Sequence, residues 1–193
     1  MTKKLDSLSS EDLMCKTAEG DELAFEVLVR RHQTPVLNLI YRYVGDRTKA
    51  RDLAQEVFIR VWRAAYRYEP KAKFTTWVYR ITANLCLNEL KSFGKKKLLF
   101  GGSSGEEGQP RDEGSNVSPS AEDLLLAEER SRQISEVLQI LPENQRMALI
   151  LKRYDNLSYH EIAKIMECSV SAVESLLGRA KRNLQEKLLF SEK

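Results

Sequence analysis

Leu157-Ser158-Tyr159-His160-Glu161-Ile162-Ala163-Lys164-Ile165-Met166-Glu167-Cys168-Ser169-Val170-Ser171-Ala172-Val173-Glu174-Ser175-Leu176-Leu177-Gly178-Arg179-Ala180-Lys181 is the stretch that decides the fold. Ser158 and Glu161 form a capping box, in which a hydroxyl serves an orphan amide and a carboxylate three residues on answers it. A short helix follows, with Ile162, Ala163, Ile165 and Met166 as its apolar side. Glu167-Cys168-Ser169 is polar and short, which suits a tight turn. A second helix then starts, with Val170, Val173, Leu176, Leu177 and Ala180 facing inward. Small Ala163 lets the two helices cross closely. Two short helices joined in this way make a helix-turn-helix, whose second helix can enter a DNA major groove. Such pairs also occur as plain structural corners, and these residues alone leave both readings open.

The chain has 193 residues, enough for one or two small domains. Hydrophobic residues make up 42% and charged residues 31%, ordinary values for a helix-rich soluble protein. A net charge of +3 permits a nucleic-acid partner without demanding one. No apolar run is long enough to span a bilayer. Met1-Thr2-Lys3-Lys4-Leu5-Asp6 has no apolar core behind its lysines, so a signal peptide is not expected. Cys15, Cys86 and Cys168 are far apart and odd in number, no Cys-x-x-Cys occurs, and neither His32 nor His160 sits near a cysteine in sequence. Reduced, structural thiols are expected, with no metal site and no cofactor.

Towards the N-terminus, Ser10 followed by Glu11 and Asp12 marks a helix start. Gly20-Asp21 stops that helix and caps the next, whose apolar positions run from Leu23 to Val44. Pro35 inside this run predicts a kink. Gly45-Asp46 repeats the stop-and-cap signal. From Arg47 to about Tyr66, Ala50, Leu53, Ala54, Val57, Phe58, Val61, Trp62 and Ala65 form one stripe. Asp52, Gln55, Glu56, Ile59, Arg60 and Arg63 occupy the other face. Asp52 near the helix start and a Glu56–Arg60 pair explain these charges plainly; an acidic docking face for a basic partner is the sharper reading.

Tyr68-Glu69-Pro70-Lys71-Ala72-Lys73 is a break. A helix is expected from Phe74 to Phe93, stopped by Gly94. Phe74, Trp77, Val78, Ile81, Leu85 and Leu90 line its apolar side. Thr75, Thr76, Tyr79, Arg80, Asn84, Asn88 and Lys91 alternate with them, which suits stacking on unpaired bases and contact with phosphates; Trp77 and Tyr79 could equally fill a core. Lys95-Lys96-Lys97 is a basic cluster. Residues 98–119 read as an acidic flexible linker rich in glycine and serine. Helical pattern returns near Ser120, with Leu124, Leu125, Ile134, Val137, Leu138 and Leu141 inward. Pro142 suits the first turn of a further helix carrying Met147, Leu149, Ile150 and Leu151. The expected fold is therefore all-α: a helical domain over 1–97, the linker, and a helix-turn-helix domain over 120–193.

Both halves resemble one family. Asp52-Leu53-Ala54-Gln55-Glu56-Val57-Phe58-Ile59-Arg60-Val61-Trp62 resembles the polymerase-binding signature of bacterial sigma factors. Phe74-Thr75-Thr76-Trp77-Val78-Tyr79-Arg80-Ile81-Thr82-Ala83-Asn84 is similar to the promoter-melting helix of their extracytoplasmic-function (ECF) group. Leu141-Pro142-Glu143-Asn144-Gln145-Arg146, with Leu157 to Ala163, resembles that group's C-terminal domain. The resemblance implies an alternative sigma factor that brings core RNA polymerase to specific promoters and carries out no catalysis itself. It implies that Asp52, Gln55 and Glu56, with Ile59 and Arg60, contact the basic coiled coil of the polymerase largest subunit. Pro70, Lys71 and Lys73 match the loop that captures a flipped minus-ten base. Thr76, Trp77, Tyr79, Arg80, Asn84 and Asn88 complete the implied minus-ten surface. Ser169, Ser171, Ala172, Glu174, Ser175, Arg179 and Lys181 are the implied minus-thirty-five contacts. The resemblance further implies a cytoplasmic location, a membrane-linked anti-sigma factor as partner, no room for the extra domains of housekeeping sigma factors and no small-molecule substrate.

The recognition helix departs from the family pattern. Glu174 and Leu176 stand where cations are common, and Gly178 stands where a bulky residue is common. A glutamate can accept a hydrogen bond from cytosine N4. Two other readings compete: a repressor or activator acting on duplex DNA without polymerase, and a recombinase with a helix-turn-helix tail. Against the enzyme stands the lack of any nucleophile flanked by clustered arginines.

Overall fold

The computed structural model describes residues 5–70, 73–99 and 121–191. Within them the elements are α1 (Ser10–Ala18), α2 (Glu22–Val44), α3 (Arg47–Ala64), a 3₁₀ turn (Ala65–Arg67), α4 (Phe74–Leu99), α5 (Ala121–Gln139), α6 (Glu143–Arg153), α7 (Tyr159–Met166) and α8 (Val170–Ser191). No strand occurs among the described residues. The all-α expectation holds. The expected linker lies outside the described residues except for 98 and 99, which end α4, so Gly94 does not stop that helix.

Local chemistry sets the helix starts. Asp21 accepts from the Ala24 amide and Asp46 from the Lys49 amide, so each aspartate serves an orphan donor of the helix that follows it. Gly45 ends α2 at φ +79°, a left-handed cap that costs glycine little. Helix α2 runs unbroken through Pro35, whose missing amide removes one ladder bond while tertiary packing holds the rest. Pro142 sits at the N-cap of α6, one position before the first turn.

Helices α1 to α4 enclose Leu13, Met14, Leu28, Leu39, Ile40, Val57, Val61, Phe74 and Val78. Trp62 departs from the stripe expected for α3. It is 39% exposed and its ring lies 4.9 Å from that of Phe25 on α2. In the C-terminal half, Leu141, Met147, Ile150, Leu151, Ile162, Ile165, Val173 and Ala180 are buried. Ile134, expected inward, is 36% exposed.

The start of α4 is held from a distance. The Glu11 carboxylate on α1 accepts a 2.6 Å hydrogen bond from the Phe74 amide, acting as an N-cap that the local sequence lacks. Beside it, Ser10 Oγ bonds His32 Nε2 at 2.8 Å, and the His32 ring lies 4.9 Å from that of Phe74. Burial, then the Arg31 charge, lower the His32 pKa from 6.5 to about 4, so the ring is neutral near neutral pH.

The two halves pack together, with α7 along α4 and with α5 and α6 against the C-terminal part of α2. Their buried side chains form one cluster. Arg146 on α6 is central to the seam. Its guanidinium donates to the Tyr43 carbonyl at 2.7 Å, and to the Gln139 and Leu141 carbonyls at 3.0 and 3.1 Å. One buried cation thus satisfies carbonyls at the C-terminal ends of two helices, α2 and α5, where the dipoles favour positive charge.

Candidate functional site

Three surfaces carry the residues singled out by sequence. The first is the outer face of α3. Asp52, Gln55, Ile59 and Arg60 are exposed and Glu56 is half-buried. Arg60 Nε bonds Glu56 Oε1 at 2.8 Å one helical turn away. That is the plain pairing expected from spacing, and both side chains keep solvent access. An exposed i,i+4 pair contributes about 0.3–0.5 kcal/mol. It can therefore be exchanged for a partner's charges at small cost. Trp62 and Tyr66, the latter 68% exposed, extend this face with aromatic surface.

The second surface is α4 and the loop before it. Periodicity places Lys73, Trp77, Arg80, Asn84 and Asn88 along one edge of the helix. Lys73, Arg80, Asn84 and Asn88 are exposed, as is Pro70, and Thr76 and Trp77 are half-buried. Lys71 lies outside the described residues. Trp77 packs edge-on against Tyr68, with centroids 5.3 Å apart, and Tyr68 likewise against Phe74 at 6.3 Å. Arg67, Tyr68, Glu69, Thr76, Trp77 and Arg80 line a cleft of about 400 Å³, to whose wall Lys164 of α7 contributes from the other half. Aromatic faces beside cations are the surface that an unstacked base and its phosphates require. Burial pushes the Tyr68 hydroxyl up to about 12, with Glu11 adding to the shift, so it stays protonated as a donor.

Tyr79 is placed differently. It is 7% exposed and turned from this edge towards the C-terminal half. Its hydroxyl donates to Asp155 Oδ1 at 2.9 Å. Burial raises the Asp155 pKa from its ordinary value, while the Tyr79 hydrogen bond and the Arg42 charge oppose that rise.

The third surface is the helix-turn-helix of α7 and α8. The capping box forms as expected: Ser158 Oγ accepts from the Glu161 amide, and Glu161 Oε2 accepts from the Ser158 amide at 2.9 Å. Glu167 turns the chain at φ +52°, a left-handed conformation unusual for a side chain of its length. Ser169 Oγ accepts from the Ala172 amide at 3.1 Å and bonds Ser171 Oγ at 3.0 Å, so this serine starts α8. Val173 and Ala180 are fully buried; Val170, Leu176 and Leu177 are partly so. Ser171, Glu174, Ser175, Arg179 and Lys181 are exposed and Ala172 is half-buried. Arg182, outside the set of implied minus-thirty-five contacts, shares the face of Ser171, Ser175 and Gly178 by helical spacing and is exposed. Gly178 lies on that face with no atom within 4 Å of a Cβ built there.

Among the described residues, no group of three or more histidine, cysteine, aspartate or glutamate side chains is arranged to hold a metal ion. Cys15, Cys86 and Cys168 are free thiols, and burial pushes the Cys86 thiol up to about 12. No helix among these residues is long and apolar enough to cross a membrane.

Comparison with known proteins bears on the whole chain. The Sigma-70 region 2 family matches residues 28–95, and the Sigma-70 region 4 family matches residues 131–184. The ECF RNA polymerase sigma-E factor of Escherichia coli (strain K12) is 35% identical over 190 residues, covering 95% of this chain and 96% of its own. The RNA polymerase sigma-H factor of Pseudomonas aeruginosa is 34% identical over 179 residues, covering 92% and 93%. Among solved structures, that of CnrH in complex with the cytosolic domain of CnrY is similar at TM-score 0.69 and 23% identity, covering 95% of this chain and 99% of that one. A sigma factor RpoE from Bartonella quintana, solved with the anti-sigma factor NepR, is similar at TM-score 0.63 and 21% identity, covering 85% and 96%. The two structures support the fold; the two relatives, matched over nearly their full length, decide the family. The chain belongs to the extracytoplasmic-function sigma factors of bacterial RNA polymerase.

Proposed function

We propose that the three surfaces divide the work of an alternative sigma factor as follows. The family membership gives the function itself: the chain binds core RNA polymerase and directs it to specific promoters for transcription initiation, without being an enzyme. Asp52, Gln55, Glu56, Ile59 and Arg60 dock on a basic element of the core enzyme. The exposed, partly acidic face of α3 carries this reading, because charge complementarity steers such docking. Pro70, Lys71, Lys73, Thr76, Trp77, Arg80, Asn84 and Asn88 take unpaired minus-ten bases and their phosphates, using the aromatic and cationic cleft. Tyr79 joins them only when the C-terminal half moves away from α4. Ser171, Ala172, Glu174, Ser175, Arg179 and Lys181 face the minus-thirty-five duplex, with Ser169 holding the start of α8.

The domain division that fits these roles is 1–97 for core binding and melting, 98–119 as connector and 120–193 for the minus-thirty-five element. The protein works in the cytoplasm. An anti-sigma factor, membrane-linked, is its proposed negative partner; one structurally similar protein was solved with an anti-sigma factor and another with the cytosolic domain of its partner. The deciding experiment pairs Asp52→Arg with Glu56→Arg. The double variant keeps its helical circular dichroism and loses retention by core polymerase. Retention equal to wild type would exclude the α3 face as the docking site.

A further inference from the structure

Helix α1 carries none of the residues assigned to polymerase or to DNA, yet it touches both walls of the cleft beside α4. One wall is Arg67, Tyr68 and Glu69, at the end of the 3₁₀ turn and just after it; the other is Thr76, Trp77 and Arg80. Helix α1 packs against that turn and against α4. Ala65 of the turn is 4% exposed and Phe74 is fully buried, and both share one apolar cluster with Leu13 and Met14 of α1.

Neither wall is fixed by its own sequence. The residue before α4 is Lys73, whose side chain offers no acceptor to an orphan amide. Glu11 supplies one, at 2.6 Å from the Phe74 amide. Thr76 and Trp77 are the third and fourth residues of α4, in the turn that this bond holds. Helix ends are where local opening costs least, so the bond bears directly on where Trp77 stands. On the other wall, Tyr68 Oη is buried with no hydrogen-bond partner among the described residues. Its ring is placed by packing, 5.3 Å from that of Trp77 and 6.3 Å from that of Phe74. Helix α1 is itself tied to α2. Arg31 donates to the Leu8 and Asp6 carbonyls at 3.0 and 3.1 Å and to Ser10 Oγ at 3.2 Å, and Ser10 Oγ bonds His32 Nε2 at 2.8 Å. Glu11, the next residue, therefore reaches Phe74 from an anchored base.

We propose that Glu11 is a positioning residue for minus-ten base capture: it holds the first turn of α4 at the spacing from Tyr68 that the cleft needs to take an unpaired base. This role rests on the assignment of α4 to minus-ten DNA. Glu11 touches no DNA and acts through the Phe74 amide. An acceptor of the right reach is what the site requires, and the negative charge is secondary.

The test uses holoenzyme reconstituted from core polymerase and the full chain. The probe is a labelled promoter fragment, chosen by mapping transcription start sites after overexpression. It is duplex upstream and single-stranded on the non-template strand across the minus-ten segment. Each minus-ten base is removed in turn to leave an abasic site. At the captured position the wild type should lose affinity about fivefold or more. Glu11→Ala should shrink that loss to below about twofold, the coupling expected when residue and base act through one site. Core retention and helical circular dichroism should not change. Glu11→Gln keeps the reach and the acceptor without the charge and should restore the loss. Glu11→Asp keeps the charge but falls short of the amide; it should behave like E11A, and it stands in should E11A fail to fold. A full abasic loss in E11A or E11D overturns the brace, and so does an E11Q that matches E11A. Trp77→Ala separates the two assignments. An abasic loss that survives W77A refutes the minus-ten assignment and the brace with it, whereas a loss abolished by W77A but intact in E11A refutes the brace alone.

Discussion

Replacing Arg146 with methionine keeps much of the apolar stem and removes the guanidinium. Three backbone carbonyls lose the guanidinium, Tyr43 O at 2.7 Å, Gln139 O at 3.0 Å and Leu141 O at 3.1 Å, although Tyr43 O keeps a second donor, Gln139 Nε2 at 2.9 Å. The Gln139 side-chain oxygen loses a fourth contact. Each charge-assisted bond contributes about 1.5–3 kcal/mol. The cost of burying the cation, which also pulls its pKa below the ordinary value, opposes that gain. With Arg146 only 6% exposed, removal strands neutral carbonyls, about 1–3 kcal/mol for each that is left buried without a donor. Lysine keeps the charge but reaches fewer acceptors, so Arg146→Lys should cost about half as much. Urea unfolding followed by circular dichroism measures both. A loss below about 1 kcal/mol for Arg146→Met would refute the idea that one cation fastens the ends of α2 and α5.

Acid should weaken the fold through His32. Its folded pKa of about 4 lies below the ordinary 6.5, so the unfolded chain takes up the proton first as pH falls. The contribution is complete above pH 6.5 and is lost progressively down to about pH 4, a total on the order of 3 kcal/mol; His32→Gln should flatten this part of the urea-midpoint profile. Glu11→Ala removes the acceptor of the Phe74 amide and should cost about 1 kcal/mol, with amide exchange in the first turn of α4 accelerating while α3 is unaffected. If exchange there stays at the wild-type rate, Glu11 does not cap α4. Ser158→Ala breaks the capping box and should also cost about 1 kcal/mol, read as a lowered thermal midpoint; an unchanged midpoint would mean that packing alone holds α7.

Features set by neighbours in sequence were legible in the chain. The Ser158–Glu161 box, the Asp21 and Asp46 caps and the glycine at the end of α2 each depend on residues within a turn of one another. Their chemistry leaves few alternatives. The apolar periodicities of α2, α3 and α8 also located the core, because a helical stripe must bury itself. Contacts made across the fold were not legible. Nothing near Phe74 announces that Glu11 caps its helix. Arg146 sits in a recognisable motif, yet its role depends on where the ends of α2 and α5 meet. The periodicity puts Trp77 on the apolar stripe and Tyr79 among the positions alternating with it, whereas packing of the C-terminal half buries Tyr79 against Asp155 and leaves Trp77 half-buried at the cleft. Trp62 satisfies the helical stripe but faces Phe25 at the surface, since among the described residues no further layer covers it.

Gly178 sits in the middle of the outward face of α8 with open space where a side chain would begin. Glycine inside a helix costs roughly 0.5–1 kcal/mol relative to alanine, so its presence does nothing for the fold. Its neighbours on that face are Ser171, Glu174, Ser175 and Arg182, none of them part of the core. Any residue from alanine to arginine can therefore be written at 178 without disturbing packing, and most would firm up the helix. On the proposed reading of α8 as the helix that faces the minus-thirty-five duplex, a side chain added at 178 should alter target preference while leaving the scaffold indifferent.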